Sequence, residues 1–552
     1  MARQVQEDGH EPEKVVSSQN PQDSSNSTDD EIDDADKALA AMGYAPVFKR
    51  SFSMWSCFSF ALSISGLFGT IMTTFSYPLY AGGAASAVWC WLIAGFGALC
   101  LALSVAEVSS AYPTSGGMYF TLKYLTPPKY TPIISWYVGW LNLIGQICGN
   151  ASSAYGAAQM MLAAVSIGTD FTYFPTQGHV IGVMAALSVI HGGINSLSTQ
   201  WLHRFSSVYA IFHIAVLLAA WIALLVTTKD KHTASYAFTH VEPASGWTPA
   251  GFSFLFGFLA VSWTMTDYDA AAHIAEEVRD PARVVPKSIA FALTFTYLVG
   301  WVFTIILVLC MGDPAEILAS PIGQPVVQIF YNSMGKGAAI FFAVSAFMIM
   351  NFVCITAMQA GSRTLWAFSR DQMIPGSKVW YKIWKKTDTP VLAVWMYTLL
   401  CVLINLIGLG SYITIAAIFN LCAIALDWSY CIPIFCKLVF GRFEPGPWNL
   451  GKLSRPINIW ACAWTSFVSI IFLFPTVLPV VADNMNYAVV ILAFVMIVAT
   501  VYWYIHGQTY YTGPRVTAHI VNGGVVLTEG DEKLSDSEKR PAGLGAQLAA
   551  NE

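Results

Sequence analysis

The chain has 552 residues, of which 55% are hydrophobic and 11% charged, and its formal net charge is -5. Soluble domains carry about 25% charged residues, so this composition excludes an ordinary soluble enzyme or binding module, and the mild acidity argues against a nucleic acid partner. A polytopic membrane protein remains. The 11 cysteines lie within or beside apolar runs, without zinc or disulfide spacing, and read as small packing residues of a membrane core.

Residues 1–50 are rich in Ser, Asp, Glu, Asn and Gln. Too little apolar surface is available there to offset chain entropy, so a disordered acidic cytoplasmic tail is expected, with no signal peptide. Lys14 and Lys37, near serines, offer sites for ubiquitin-type regulation through the tail. The acceptor pattern Asn26-Ser27-Thr28 reads as a chance match on the cytoplasmic side. From Phe52 onward, twelve apolar segments have spanning length, about 20 residues each. They cover 52–78, 84–110, 132–165, 179–199, 205–227, 249–275, 287–311, 337–366, 390–408, 411–437, 457–481 and 486–506. With the N-terminus inside, fifteen Lys and Arg of the connections face the cytoplasm, against Lys229, Lys231 and Lys336 outside. That bias predicts cytoplasmic termini and bounds a transporter domain at 51–506, followed by a cytoplasmic tail, 507–552.

Two segments interrupt their helical pattern. The first carries SISGLFGT, with Gly66 and Gly69 at mid-span among Ser63, Ser65 and Thr70. Either the glycines break the helix, with hydroxyls satisfying the freed backbone, or they permit close helix packing. The sixth ends in VSWTMTDYDAAAHIAEE, residues 261–277, with Asp267, Asp269, Glu276 and Glu277. An ionised group at membrane depth costs roughly 2.5–3.5 kcal/mol or more, so such residues face a cavity or a partner. If the helix continues, Asp269, His273 and Glu276 share one face; the plainer reading makes Glu276 and Glu277 the wet end of a membrane helix. Broken helices five apart point to inverted repeats around a midplane site.

Several runs then resemble the amino acid-polyamine-organocation superfamily, and within it the fungal-type branch of GABA, amino acid and choline permeases. They are LAAMGYAPVFKRSFSMWSCFSFALSISGLFG, AEVSSAYPTSGGMYF at 106–120, YDAAAHIAEEVRDPARVVPKSI, SRTLWAFSRDQMIP at 362–375, and FPTVLPVVADNMNYA at 474–488. The likeness extends from about residue 38 to residue 514. It implies an all-α membrane protein of twelve transmembrane helices: a five-plus-five inverted-repeat core with helices 1 and 6 broken, plus two extra helices, working by alternating access. The substrate carboxylate would bind backbone N–H groups at Ser65, Gly66, Leu67, Phe68, Gly69 and Thr70, which a helix N-terminus favours electrostatically. Trp263 matches an occluding aromatic, and Asp269 a position often acidic in the family.

The coupling ion is expected to be a proton, with no further cofactor. Helix eight lacks the adjacent hydroxyl pair of sodium-coupled relatives, and His213 in helix five or Glu276 can carry the proton. His213 reads equally as a packing residue. Arg363 or Arg370 pairing with Glu276 or Glu277 would form a cytoplasmic gate. No HExxH, GxSxG or clustered Cys and His marks an enzyme. Asp267 and Asp269 suggest an amine and the helix-one glycines a carboxylate, favouring GABA or another amino acid over choline or a polyamine. A channel or a non-transporting nutrient receptor ranks last. The expected site is the plasma membrane, with the vacuolar membrane as alternative.

Overall fold

The computed structural model describes residues 34–44, 46–409, 412–481, 484–514, 518–521 and 524–527. Most of both tails, including Lys14 and Asn26-Ser27-Thr28, lies outside the described residues. The chain divides into two compact units, Met1–Val47 with Arg515–Glu552, and Phe48–Pro514. In the first, α1 (Asp34–Ala41) lies beside β1 (Ala518–Val521), which pairs antiparallel with β2 (Gly524–Leu527).

The second unit is helical among its described residues. In chain order it contains α2 (Met54–Ser65), α3 (Leu67–Thr74), α4 (Ser76–Ala111), α5 (Gly117–Leu125), α6 (Thr131–Gly168), α7 (Gln177–Asn195), α8 (Thr199–Thr227) and α9 (Ala234–Thr239). The sixth apolar segment is divided into α10 (Ala250–Leu255), α11 (Phe258–Thr264) and α12 (Ala270–His273). Then follow α13 (Pro281–Cys310), α14 (Pro314–Leu318), α15 (Pro325–Met334), α16 (Lys336–Arg370), α17 (Ser377–Trp380), α18 (Val391–Leu406), α19 (Tyr412–Phe440), α20 (Ser454–Ile471) and α21 (Ala488–Tyr502). Eight helical stretches among the described residues are long and apolar enough to cross a membrane, and Ala250–Thr264 and Val391–Leu406 are shorter apolar helices. Helices suit this composition because a lipid-buried backbone must satisfy its own polar groups. α16 packs along α6, α13 along α4, and α19 along α6; α21 is the most exposed span.

Several boundaries differ from the sequence reading. The eleventh segment leaves its helix at Ile471, shortly before Pro475 and Pro479, which cannot continue one. The eighth runs on to Arg370, so Arg363 and Arg370 share one helix seven residues apart. A third interruption appears where a connection was expected: Gly82 (φ -177°, ψ 19°) and Gly83 (φ 70°, ψ -146°) bend α4. Residues 240–244 fill that bend, with Ala85 N–H donating to His240 O at 3.0 Å and Ala244 N–H to Tyr80 O at 2.9 Å.

The glycines of the first segment divide their roles. Gly66 caps both α2 and α3 in the left-handed region (φ 49°, ψ 32°), which makes the break. Gly69 makes the close approach, since a Cβ there would stand 2.8 Å from Met350 Sδ on α16. At Gly66 an added Cβ would stand 2.2 Å from Val353 Cγ2. Gly66→Ala therefore meets both a backbone and a steric penalty, together roughly 2–4 kcal/mol. A fall in melting temperature that Val353→Ala recovers only in part is the expected result; full recovery would show that the left-handed backbone is not needed.

Candidate functional site

The breaks in the first and sixth segments face each other. Beyond Gly66, the amide of Phe68 donates to His213 Nε2 of α8 at 3.1 Å, which fixes that nitrogen as an acceptor. Thr70 Oγ1 donates back to Ser65 O at 3.0 Å, capping a carbonyl that the break sets free. The hydroxyls of Ser63 and Ser65 are buried without a hydrogen-bond partner. The Phe68 ring turns away, into a cluster with Phe303, Phe330 and Phe342.

On the other side, α11 ends at Thr264 and the chain runs through Met265 to Asp267, whose φ of 58° is left-handed for a residue that is not glycine. Asp267 Oδ1 is buried without a partner. Strained backbone and an unsatisfied carboxyl oxygen at one residue are the marks of a site held for another purpose. Asp267, Thr266, Trp263, Thr70 and Ser153 line a cavity of about 20 Å³, with Val353, Ala357 and Cys422 also in its wall. That is room for about one water molecule. Trp263 is held over it by its indole N–H donating to Ser152 Oγ at 2.9 Å, with the Phe419 ring centroid 4.6 Å away.

A profile of the amino acid permease family matches residues 52–497, most of the second unit. The chain belongs to the amino acid permease family. It is 56% identical over 507 residues to an uncharacterised amino-acid permease of Schizosaccharomyces pombe, covering 91% of this chain and 94% of that one. It is 54% identical over 480 residues to amino-acid permease 2 of Neurospora crassa (87% and 89% covered). With amino-acid permease BAT1 of Arabidopsis thaliana it shares 30% over 499 residues (88% and 96%). The protein is therefore a multi-pass membrane transporter of amino acids and not an enzyme.

The permease does not continue its sixth segment as one helix, so Asp269, His273 and Glu276 do not share a face as the sequence suggested. Asp269 instead starts the four-residue α12, and its i,i+4 contact with His273 survives at 2.9 Å. Asp269 is also taken up by Asn142 Nδ2 of α6 at 3.0 Å and Tyr430 O–H of α19 at 2.5 Å. It lies within a polar network and is not among the residues lining the cavity. Glu276 and Glu277 sit on a following 3-10 turn, and neither is wet: residues 256–278 are all buried.

Four charged residues singled out in the sequence meet as two pairs. Arg363 Nε lies 2.8 Å from Glu277 Oε1, and Arg370 Nη1 3.2 Å from Glu276 Oε1, with side chains at most 2% exposed. The ends of the same segment are stitched to the chain entering α2. Ser51 and Phe52 N–H donate to Glu277 O at 2.9 and 3.0 Å, Arg279 N–H donates to Phe52 O, and Arg50 Nη1 donates to Val278 O. Another buried pair escaped the sequence reading. Glu107 accepts from Lys437 Nζ at 2.5 Å, Ser454 Oγ at 2.8 Å and Leu450 N–H at 3.1 Å, joining α4, α19 and the start of α20. Asn142 and Tyr430 were missed as well, and His273 was placed beside Asp269 but not on Ser115. The available signal was a polar side chain inside an apolar run, which does not say which partner it meets.

Proposed function

We propose that this permease carries a zwitterionic amino acid, GABA-like or neutral, by alternating access with a proton as coupling ion. The supporting observation is the pair of breaks meeting at one cavity lined by Thr70, Trp263 and Asp267. In this reading the substrate carboxylate binds the amides of residues 65–70 at the N-terminus of α3, where the helix dipole favours an anion. Its amine pairs with Asp267, and Trp263 closes above it through a cation–π contact. Asp269 supports the site through the network instead of touching substrate. A cavity with room for one water must widen to admit an amino acid, so the geometry fits a closed member of the cycle.

The twelve apolar segments, with two short or broken ones, fit a five-plus-five inverted-repeat core and two extra helices, with both termini cytoplasmic. On that topology the Arg363–Glu277 and Arg370–Glu276 pairs form the cytoplasmic gate. His213 is the first proton candidate, because protonating Nε2 breaks its bond to Phe68 and frees an amide at the carboxylate end of the site. Glu276 is the second. Sodium is less favoured: helix eight has no adjacent hydroxyl pair at mid-span, and the side chain that packs on Gly66 is that of Val353, which carries no oxygen. A choline or polyamine substrate is the alternative, since Asp267 and Trp263 suit any cationic amine. The plasma membrane is the proposed site and the vacuolar membrane the alternative; a fluorescent fusion separates them. The tails, with Lys14 and Lys37, are proposed as ubiquitin-type control points.

The test is uptake of labelled GABA and neutral amino acids, against choline and putrescine, in a transport-deficient host at external pH 5 and 7.5. Saturable zwitterion uptake that is stronger at pH 5 is expected. Uptake of amines alone would overturn the carboxylate assignment, and non-saturating flux would favour a channel. In His213→Ala and Glu276→Gln, proton flux per substrate should fall in at least one variant. Unchanged coupling in both would remove these two candidates.

A further inference from the structure

We propose that Asp269 and His273 hold one shared proton, and that its loss unlatches His273 from Ser115 and so loosens the Glu276–Arg370 pair. The inference rests on the reading of that pair as a gate. His273 Nδ1 lies 3.0 Å from the Ser115 carbonyl oxygen, and His273 Nε2 lies 2.9 Å from Asp269 Oδ2. A carbonyl oxygen can only accept, so Nδ1 carries a hydrogen. An ionised carboxylate can also only accept, so a second hydrogen lies between Nε2 and Oδ2, on the ring or on the carboxyl. In either arrangement the pair is neutral overall. Its side chains are 1% and 0% exposed, where a net charge without a partner is costly.

The surroundings tie that proton to the gate. Asn142 from α6 donates to Asp269 Oδ2 and Tyr430 from α19 to Oδ1. The ring of Tyr268 lies 5.0 Å from that of Tyr430, with Asp427 of α19 nearby, and Asp267 is two residues back. α16 presents Arg363 and Arg370, bound to Glu277 and Glu276. From α2 and α13, the described residues show no hydrogen bond to the pair. The two arginines are already paired with Glu277 and Glu276, so removing the proton places a net negative charge in a buried site that also holds Asp267 and Asp427. One of the two His273 contacts then loses its hydrogen and becomes a contact between lone pairs. A hydrogen bond to an ionised carboxylate is roughly twice as strong as one to a neutral carbonyl, so the remaining hydrogen stays with Asp269 and the Ser115 contact is the one given up.

The imidazole has little room to swing away. Gly117 sits against it with φ 56°, and a Cβ there would stand 2.6 Å from His273 Cε1. Release therefore moves the turn between α4 and α5. That turn also holds the gate, because Ser115 N–H donates to Glu276 Oε1 at 3.0 Å. One residue thus joins the protonated pair, through its carbonyl, to the ion pair, through its amide.

The full-length protein reconstituted in liposomes, labelled with 15N-histidine, tests the first half. At pH 7.5 either a histidine with both ring nitrogens protonated or a protonated carboxyl stretch in the infrared is expected, lost in both His273→Gln and Asp269→Asn. A His273 with one bare nitrogen beside an ionised Asp269 would overturn the proposal. Hydrogen exchange over residues 112–117, corrected for intrinsic pH dependence, tests the second half. Protection in the wild type should fall roughly tenfold or more as the pair loses its proton, the scale of one hydrogen bond to a charged group. Asp269→Asn mimics the loaded pair, since its amide can donate to Nε2, and should stay protected across the same range. Equal pH dependence in wild type and Asp269→Asn, or in wild type and His273→Gln if the asparagine variant does not fold, would overturn the latch. None of these readouts needs a substrate, so a failed uptake screen leaves them standing, and a failed latch leaves the transport reading standing.

Discussion

Replacing Asp267 by asparagine is expected to cut zwitterion uptake roughly a hundredfold, the scale for losing one partner of a desolvated charge pair, while the protein still reaches the membrane. The same change should leave the melting temperature unaltered or raise it. Asp267 is buried, one of its oxygens has no partner, and its backbone is left-handed at φ 58°. Asparagine tolerates that conformation and removes the burial of a carboxylate, so the fold gains from the change that the transport reaction loses. Such opposed effects mark a group kept for binding at some expense of stability. Uptake assays beside thermal unfolding in detergent check both halves. Wild-type uptake by Asp267→Asn would remove the residue from the substrate site and leave its strained backbone without a functional account.

The second large effect concerns the proposed gate. Glu277 and Arg363 are fully buried at 2.8 Å, and removing one partner of such a pair leaves an uncompensated charge at a cost of roughly 3–5 kcal/mol. Glu277→Arg, which sets two guanidinium groups against each other, should lower uptake by two orders of magnitude or more and lower the melting temperature. Combining it with Arg363→Glu should restore a measurable part of both, because the pair re-forms with its charges exchanged. Glu277 also anchors Ser51 and Phe52 through its carbonyl, a contact that neither substitution removes. A double variant that is correctly localised, well folded and still inactive would show that the polarity of this pair matters for something other than closing a path. The outcome also bears on Arg370 and Glu276, which share the helix and the turn.

Much of the architecture was legible because lipid imposes a simple rule on a chain. Runs of about 20 apolar residues can be counted, and the glycines of SISGLFGT stand out at mid-span as either a break or a packing contact; the left-handed backbone of Gly66 makes it the break. The carboxylates of residues 267–277 were equally visible, since charge at membrane depth demands a reason. The sequence also singled out Arg363, Arg370, Glu276 and Glu277 as partners, through their depth and opposite sign, and the structure joins them as two pairs. Which carboxylate does which job depended on contacts between residues far apart in the chain. Asp267 and Asp269 are two positions apart and chemically identical. A left-handed turn leaves Asp267 at the cavity, whereas Asn142, Tyr430 and His273 take up Asp269. The unwound backbone after Thr264 undid the expected shared face of Asp269, His273 and Glu276, because a helical period ends where the helix does. Glu107 and Lys437 are 330 residues apart and meet only through packing of α4 against α19. By itself the sequence determined the apolar runs, the glycines at the middle of the first and the charged inventory, since each follows from local composition. Only the tertiary structure decided which charges are partnered and which is left unsatisfied, because pairing is a property of positions in space.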